Sequence, residues 1–248
     1  MTAETGRTDL VTREAKELRE LVARTRHVLF DFDGPICRLF AGYPAKDIAR
    51  AQVEWLDSSG RGAVLTEEER FSPDPHGTLS ALAERHPGTD LVAELEERLT
   101  WHELRAAKKA RPTPYADPLI RTWVAVGARL AIVTNNSART VTAYLRDRGV
   151  FSCFHPHVYG RTQDLSVLKP HPKTLILALT AMGAAPEASL MIGDTPSDHL
   201  AARAAGVDFL GYARNEASEL RMLEAGVPRE SIIGSLEPLL HAVRLARS

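Results

Sequence analysis

The chain has 248 residues, which is enough for one large domain or for a domain with a smaller module. A formal net charge of −1 excludes the strongly basic profile of nucleic-acid-binding proteins and gives no electrostatic reason to bind an anionic membrane. We therefore expect no nucleic-acid partner and no membrane partner. The two cysteines, Cys37 and Cys153, are too few for a disulfide framework, and the first residues carry mixed charges without an apolar signal segment. Both features predict a cytoplasmic protein.

The first part of the chain predicts a helix, a buried strand and a helical insertion. Apolar residues recur every three or four positions from Leu10 to Val22, which indicates an amphipathic helix. The apolar run His27–Phe30 is typical of a strand buried on both faces, and the glycines and prolines of 34–44 predict a loop. The following region, to about Lys109, shows no convincing strand. Its periodic, charge-rich stretches predict helices at Lys46–Leu56, Thr66–Phe71, Thr78–Arg85 and Asp90–Lys109.

After Arg111 the pattern alternates between helix and strand. Glycines at 149, 183 and 206 directly follow predicted helices, where they are the expected stop signal. The strands are predicted at Leu130–Val133, Ser189–Ile192, Asp208–Tyr212 and Ser231–Gly234, with a short strand or loop at Phe154–Tyr159. The helices are predicted at Pro118–Val126, Ser137–Arg148, Pro172–Met182, Ser197–Ala205, Glu216–Ala225 and Leu236–Leu245. This alternation predicts an α/β fold with a parallel sheet and helices on both faces.

Four short polar segments are the candidate functional residues. They are Asp31-Phe32-Asp33-Gly34, Thr134-Asn135, Lys169-Pro170, and Gly193-Asp194 with Asp198. Three of the four directly follow predicted strands, and ligands of parallel α/β sheets bind beyond the carboxyl ends of the strands. We therefore expect the four segments to meet in one pocket.

The residue types in these segments suit phosphoryl transfer through an aspartate. Of Asp31 and Asp33, one can attack phosphorus and the other can exchange a proton with the leaving oxygen and with water. A carboxylate that attacks an anionic phosphate needs a cation to screen the repulsion, and Mg²⁺ with Asp194 as a further ligand suits this need. Thr134 offers a hydroxyl to a phosphate oxygen, and Lys169 offers a compact positive charge.

Each segment alone has an ordinary structural interpretation. The aspartates could belong to a turn or a calcium loop, Thr134 could cap a helix, and Lys169 could be a solvated charge. Asp198 lies four residues after Asp194. Its negative charge could simply stabilise the N-terminus of a helix, or it could orient Lys169 or a metal-bound water. The four segments together, in this order and at strand ends, favour the catalytic interpretation.

The set of segments closely resembles the haloacid dehalogenase-like hydrolase superfamily in its phosphatase branch. The resemblance extends to the segment Lys169–Pro172 and to the stretch from Gly193 to Val207. It implies a Rossmann-like core of residues 1–36 and 112–248, with a helical cap of residues 37–111 inserted between the first and second motifs, as in phosphoglycolate phosphatase-like members.

The resemblance also implies a role for each matching residue. Asp31 would be the nucleophile and Asp33 the acid/base. Mg²⁺ would be bound by Asp31, by the backbone carbonyl of Asp33 and by Asp194, with Asp198 in support. The phosphoryl group of a small phosphorylated metabolite would be held by Thr134, Asn135 and Lys169.

Three further possibilities remain at this stage. A phosphomutase of the β-phosphoglucomutase type would use the same core, and a non-catalytic binding protein could retain the fold. Lys46 lies early in the insertion, roughly where phosphonatases of the family carry a Schiff-base lysine. Dehalogenation is disfavoured, because dehalogenases lack the second carboxylate.

Pro35 departs from the family pattern and raises the question of whether it disturbs the turn after Asp33. The protein is expected to be a monomer or a homodimer.

Overall fold

A six-stranded parallel sheet is the centre of the fold. The structure is a computed structural model that describes residues 16–246. Its strands, in chain order, are β1 (His27–Phe30), β2 (Cys37–Arg38), β3 (Arg111–Pro112), β4 (Arg129–Ser137), β5 (Val158–Arg161), β6 (Ser189–Gly193), β7 (Asp208–Tyr212) and β8 (Ile232–Ile233). The sheet has the order β5-β4-β1-β6-β7-β8 with every neighbouring pair parallel. Because β1 lies between β4 and β6, the polar segments at the carboxyl ends of these three strands lie side by side.

Helices cover both faces of the sheet. Residues 16–24 form α1. The other helices are α2 (Ala45–Ser58), α3 (Glu67–Phe71), α4 (Pro75–Arg85), α5 (Asp90–Ala107), α6 (Ala116–Ala125), α7 (Ala138–Asp147), α8 (Lys173–Met182), α9 (Pro196–Ala204), α10 (Glu216–Glu224) and α11 (Glu237–Leu245). Val28 and Phe30 of β1 pack into one apolar cluster with α6, α7 and α11, whereas Leu29 packs into another with α8 and α9. Alternate residues of β1 are thus buried on opposite faces.

The predicted α/β class is confirmed, and the structure defines three local predictions more closely. The strand predicted to end at Val133 continues to Ser137, because Ser137 pairs with Arg161 beyond a bulge. In the segment Phe154–Tyr159, predicted as a short strand or a loop, the strand begins at Val158. The predicted loop 34–44 contains β2 and a 3₁₀ turn at Leu39–Ala41. The first part of the predicted N-terminal helix lies outside the described residues.

The insertion contains α2 to α5, and its apolar side chains form a cluster that also takes in Leu165 and Leu168 from the segment before Lys169. This cluster includes Ile48, Leu56, Leu79, Leu95 and Leu99. The antiparallel ribbon of β2 and β3 joins its two ends, with Cys37 opposite Pro112 and Arg38 opposite Arg111. The predicted cap boundaries coincide with this ribbon, and the division into a core and a cap stays a proposal. Within residues 16–246 the structure has no helix that combines the length and the apolarity needed to cross a membrane.

Candidate active site

The turn after β1 carries the two aspartates of the first motif. The backbone N–H of Asp31 still donates to Ile192 of β6, at 2.9 Å, so Asp31 is held in line with the sheet. Gly34 then adopts a φ of +112°, which L side chains rarely adopt. A Cβ at this position would also collide with the carboxylate of Asp194. Glycine is therefore required here both by the backbone conformation and by the close approach of the acidic residue.

Pro35 fits this turn without breaking its hydrogen bonds. The backbone N–H groups of Ile36 and Cys37 both donate to the carbonyl of Phe32, at 3.3 and 3.2 Å, and Gly34 donates to the carbonyl of Cys37 at 2.6 Å. None of these bonds needs an N–H at position 35. The missing donor of proline consequently costs the turn nothing.

Asp33 has the properties of a group that exchanges protons near neutral pH. Its Oδ1 accepts a hydrogen bond of 2.8 Å from the backbone N–H of Leu39. Burial raises the pKa of Asp33 to about 6, with the charge of Asp31 adding to the rise and the Leu39 bond opposing it. A carboxyl group with such a pKa can donate a proton in one step and accept one in the next.

Lys169 is a buried cation shared by two aspartates. Its Nζ donates to Asp31 Oδ1 at 2.8 Å, to the carbonyl of Val133 at 2.8 Å and to Asp198 Oδ1 at 2.5 Å. Burial alone would lower the pKa of Lys169, but Asp198 and Asp31 outweigh it and hold the pKa above its usual value. The ammonium group is therefore charged throughout the neutral range.

Asp198 holds Lys169 in place. While its Oδ1 accepts from Lys169, its Oδ2 accepts from the backbone N–H groups of Asp194 and Thr195, at 3.1 and 3.0 Å, and from the Thr195 hydroxyl at 2.7 Å. The residue is fully buried in the first turn of α9. The orienting function suggested by its position in the sequence matches this geometry.

The acidic residues at this edge of the sheet fit a divalent cation. Ligand atoms of Asp31, Asp194 and Asp198 lie within 4.8 Å of one another. Because both oxygens of Asp198 are engaged, Asp31 and Asp194 remain as carboxylate ligands, and within residues 16–246 no hydrogen bond reaches the Asp194 carboxylate. Burial and the charges of Asp31 and Asp198 raise the pKa of Asp194 well above its usual value. A hard cation bound by oxygen ligands would relieve this repulsion.

Asp33 can join such a site only through its backbone, as the resemblance implies. Its carboxylate is not part of the group of acidic ligand atoms and is bonded to Leu39 instead. The carboxylates of the two aspartates thus have different partners, Lys169 for Asp31 and the backbone N–H of Leu39 for Asp33.

Thr134 and Asn135 both reach the site but differ in their contacts. The Thr134 hydroxyl is buried, donates to Asn136 Oδ1 at 3.2 Å and lines the pocket beside Asp31. The Asn135 side chain instead forms two reciprocal bonds of 2.9 Å with the backbone N–H and carbonyl of Lys169. This clamp ties the Lys169 loop to β4. The predicted contacts of Thr134 and Asn135 with a phosphoryl group stay predictions.

The insertion closes one side of the pocket with residues that the sequence analysis did not single out. The pocket has a volume of 320 Å³ and lies at the carboxyl ends of β1, β4 and β6, with Phe40, Ala45, Asp74 and His76 on the side of the insertion. Lys46 is exposed and is not among the lining residues, which gives the phosphonatase alternative no support.

A buried ionic cluster lies directly behind His76. Glu103 of α5 is fully buried and accepts from His76 Nε2 at 2.7 Å and from Arg161 Nη1 at 2.8 Å. Arg161 also donates to Glu96 at 3.0 Å, to Thr100 at 3.1 Å and to the carbonyl of Asn135 at 2.9 Å. Burial favours a raised pKa for Glu103, but Arg161 and His76 outweigh burial and hold its pKa below the usual value. The cluster joins α4 and α5 of the insertion to the end of β5.

Comparison with known proteins agrees with this geometry. The family model described as "haloacid dehalogenase-like hydrolase" matches residues 25–206. The chain belongs to the haloacid dehalogenase-like hydrolase family. A protein of Salmonella choleraesuis named phosphoglycolate phosphatase is 32% identical over 244 residues, covering 90% of this chain and 94% of that protein. Another of the same name, from Rhodospirillum rubrum, is 29% identical and covers 79% of this chain and 84% of its own length.

Solved structures share the fold of this haloacid dehalogenase-like hydrolase. A haloacid dehalogenase-like hydrolase from Bacteroides fragilis superposes with a TM-score of 0.64 at 22% identity, over 87% of this chain and 99% of that chain. CbbY from Rhodobacter sphaeroides, solved in complex with phosphate, gives a TM-score of 0.61 at 21% identity, over 89% of this chain and 100% of that chain. The family membership, the α/β fold class and the prediction of a hydrolase of the phosphatase branch are confirmed.

Proposed function

We propose that this hydrolase is a Mg²⁺-dependent phosphatase that cleaves a small phosphomonoester through an aspartyl-phosphate on Asp31. The observation that carries the proposal is the contact between Asp31 and Lys169 beside Asp33. A carboxylate nucleophile fixed by a buried cation, next to a carboxyl group with a pKa of about 6, is the combination that stepwise phosphoryl transfer requires.

The reaction then runs in two steps that return the site to its starting state. In the first, a carboxylate oxygen of Asp31 attacks phosphorus, the ester bond breaks, and the proton of Asp33 passes to the leaving oxygen. In the second, Asp33 takes a proton from water, the resulting oxygen attacks phosphorus, and the bond between Asp31 and phosphorus breaks. Inorganic phosphate leaves, with Thr134 and Lys169 holding its oxygens in both steps.

Asp31, the backbone carbonyl of Asp33 and Asp194 would hold Mg²⁺, which supplies charge neutralisation between the carboxylates and the phosphoryl oxygens. Asp198 stays outside this ligand set because its oxygens hold Lys169 and the turn before α9. The insertion limits the access of water and forms the surface that meets the leaving group.

The relatives suggest where to begin with the substrate. Several are named phosphoglycolate phosphatases, and a pocket of 320 Å³ lies at the small end of the range for ligand sites. We therefore propose 2-phosphoglycolate as the first substrate to test. A cytoplasmic location is part of the proposal, supported by the two unpaired cysteines.

The test measures phosphate release from 2-phosphoglycolate and p-nitrophenyl phosphate with and without Mg²⁺. We expect Mg²⁺-dependent release that is lost in Asp31→Asn. Asp208→Asn is the matched control, because Asp208 pairs with Arg24 on the surface and takes no part in the pocket. With p-nitrophenyl phosphate, whose leaving group departs without a proton, Asp33→Asn should accumulate an enzyme that carries one phosphoryl group, detectable by mass spectrometry after an acid quench, because no carboxylate then activates water for the second step.

Two results would contradict the proposal. Release that persists in Asp31→Asn would exclude Asp31 as the nucleophile. A phosphoenzyme that forms but transfers its phosphoryl group only to a sugar phosphate, and not to water, would indicate the phosphomutase instead.

A further inference from the structure

We propose that His76 contacts the leaving group of the substrate and selects esters whose leaving group carries a polar oxygen. This inference rests on the proposed phosphatase function and adds to it a residue of the insertion that determines specificity. No sequence motif includes His76.

The start of α4 fixes the place of His76. Asp74 is the N-cap, and its carboxylate accepts a hydrogen bond of 2.9 Å from the backbone N–H of His76, while Pro75 occupies the first position of the helix. This short cap places His76 in the first turn, on the wall of the pocket that also contains Asp33 and Phe40. The ring of Phe40 packs edge-on against the imidazole, with 6.1 Å between the ring centroids. The imidazole is therefore held by its own helix and by a neighbouring ring.

Glu103 fixes the orientation of the imidazole. It lies behind the ring, accepts from Nε2 at 2.7 Å, and is itself held by Arg161, by the backbone N–H of Ser137 at 2.9 Å and by Asn136 at 3.1 Å. With the Thr140 hydroxyl at 3.5 Å as a fifth partner, the carboxylate cannot swing away without leaving buried donors unsatisfied. Glu103 acts through His76 and is a positioning residue.

The other ring nitrogen, Nδ1, has no hydrogen-bond partner among the described residues, and His76 lines the pocket. The nearest carboxylate oxygen, on Asp74, lies 3.9 Å away from Nδ1. Lys169 is the only other basic side chain among the described lining residues, and its ammonium group lies beside Asp31, where the proposed function puts the phosphoryl group and not the leaving group. The side of the pocket formed by the insertion otherwise offers two nonpolar side chains and the anionic Asp74. His76 is thus the group best placed to bind an oxygen of the leaving group.

The chemistry of imidazole defines the class of substrate. With Nε2 donating to Glu103, Nδ1 donates to a carboxylate when the ring is protonated and accepts from a hydroxyl when the ring is neutral. Both cases favour a phosphorylated hydroxy acid or polyol over a bare alkyl phosphate. Such a contact raises specificity because its loss leaves a polar group unpaired in a confined site.

The experiment compares kcat/KM for three esters, namely 2-phosphoglycolate, glycerol 1-phosphate and ethyl phosphate, in the full-length enzyme with Mg²⁺. We expect His76→Ala to lower kcat/KM by roughly 10- to 100-fold for at least one of the two polar esters, the effect of losing one charge-assisted hydrogen bond. Ethyl phosphate should be little affected. A loss confined to 2-phosphoglycolate identifies a donor function of His76, and a loss confined to glycerol 1-phosphate identifies an acceptor function.

Two further variants separate selection from general damage. His86→Ala removes a histidine at the other end of α4, outside the pocket, and should leave all three values unchanged. Glu103→Gln retains an oxygen for Nε2, so it should reduce the preference for the polar ester less than His76→Ala does, at similar turnover of ethyl phosphate.

Three outcomes would overturn the inference. They are an equal loss for all three esters in His76→Ala, no loss for any of them, and a Glu103→Gln variant that slows every ester alike. If the wild-type enzyme hydrolyses none of the esters, the proposed phosphatase function fails first, and this result is distinct from an unchanged preference in an active enzyme.

Discussion

Replacing Arg161 with methionine should strongly destabilise the protein, although Arg161 is only the last residue of the short strand β5. The guanidinium is completely buried between Glu96 and Glu103. A methionine side chain would fill much of the volume but leave the two carboxylates without their cation. Breaking a buried ion pair by removing one partner costs about 3–5 kcal/mol. Both carboxylates keep other donors, such as Gln163 for Glu96 at 3.0 Å, so we expect a value of about 3 kcal/mol.

Urea unfolding at pH 7 measures this loss, and a second arginine provides the control. Arg139 also joins the sheet side to α5, through Glu97 at 2.7 Å, but the two side chains are 61% and 59% exposed. Arg139→Met should therefore cost only about 0–1 kcal/mol. For a chain of this size, the difference of about 2–3 kcal/mol corresponds to a thermal midpoint roughly 4–12 °C lower in Arg161→Met than in Arg139→Met. Equal losses of unfolding free energy in the two variants would refute the argument that the Arg161 ion pairs stabilise the protein more because they are buried.

Three other outcomes follow from the same structure. Gly34→Ala should abolish phosphate release, because the added Cβ displaces Asp194. Gly183 also has a positive φ but has open space around it, so Gly183→Ala should lose only about 1–2 kcal/mol of stability and remain active. Equal activities of the two variants would disprove the steric explanation. Phosphoenzyme formation from ethyl phosphate should decline as the pH rises above about 6, where Asp33 loses its proton, and single-turnover rates in Asp33→Asn should lack this decline. Because the pKa of Glu103 is lowered on folding, its stabilisation is present above the usual value of 4.5 and is lost as the pH falls below it. The gap in unfolding free energy between wild type and Glu103→Gln should thus narrow from pH 7 to pH 3, and a constant gap would contradict the assignment.

The sequence was sufficient to bring the central residues together, because their positions follow from strand order. Asp31, Lys169 and Asp194 lie in segments after or beside buried apolar runs, and parallel strands align their carboxyl ends at one edge. The shared edge follows from the sequence, whereas the pairing of β1 with β6, which brings Asp31 next to Asp194, is shown only by the structure. The helices were equally predictable, since apolar periodicity fixes the face that each helix buries.

The contacts across the insertion could not be predicted in the same way. Glu103 and Arg161 look like ordinary surface charges in the sequence, because one lies in a charge-rich helix and the other in a polar stretch. Their burial depends on the packing of α5 against the end of β5, which no local pattern specifies. His76 follows an Asp-Pro break and resembles a turn residue until the partner of its Nε2 is known. The extension of β4 to Ser137 likewise depends on pairing with Arg161, a tertiary contact.

The ribbon of β2 and β3 has a consequence for how such an enzyme can change. Because Cys37 lies opposite Pro112 and Arg38 opposite Arg111, the chain leaves the sheet and returns to it at adjacent points. Paired strands lie about 5 Å apart, a distance that a two-residue hairpin can bridge. The whole segment between β2 and β3 can therefore be replaced by another without moving Asp31. A replacement would have to retain Leu39, whose backbone N–H bonds Asp33, and to supply new partners for Arg161. New leaving-group preferences could thus arise by recombination at one short ribbon, while the chemistry beneath it stays unchanged.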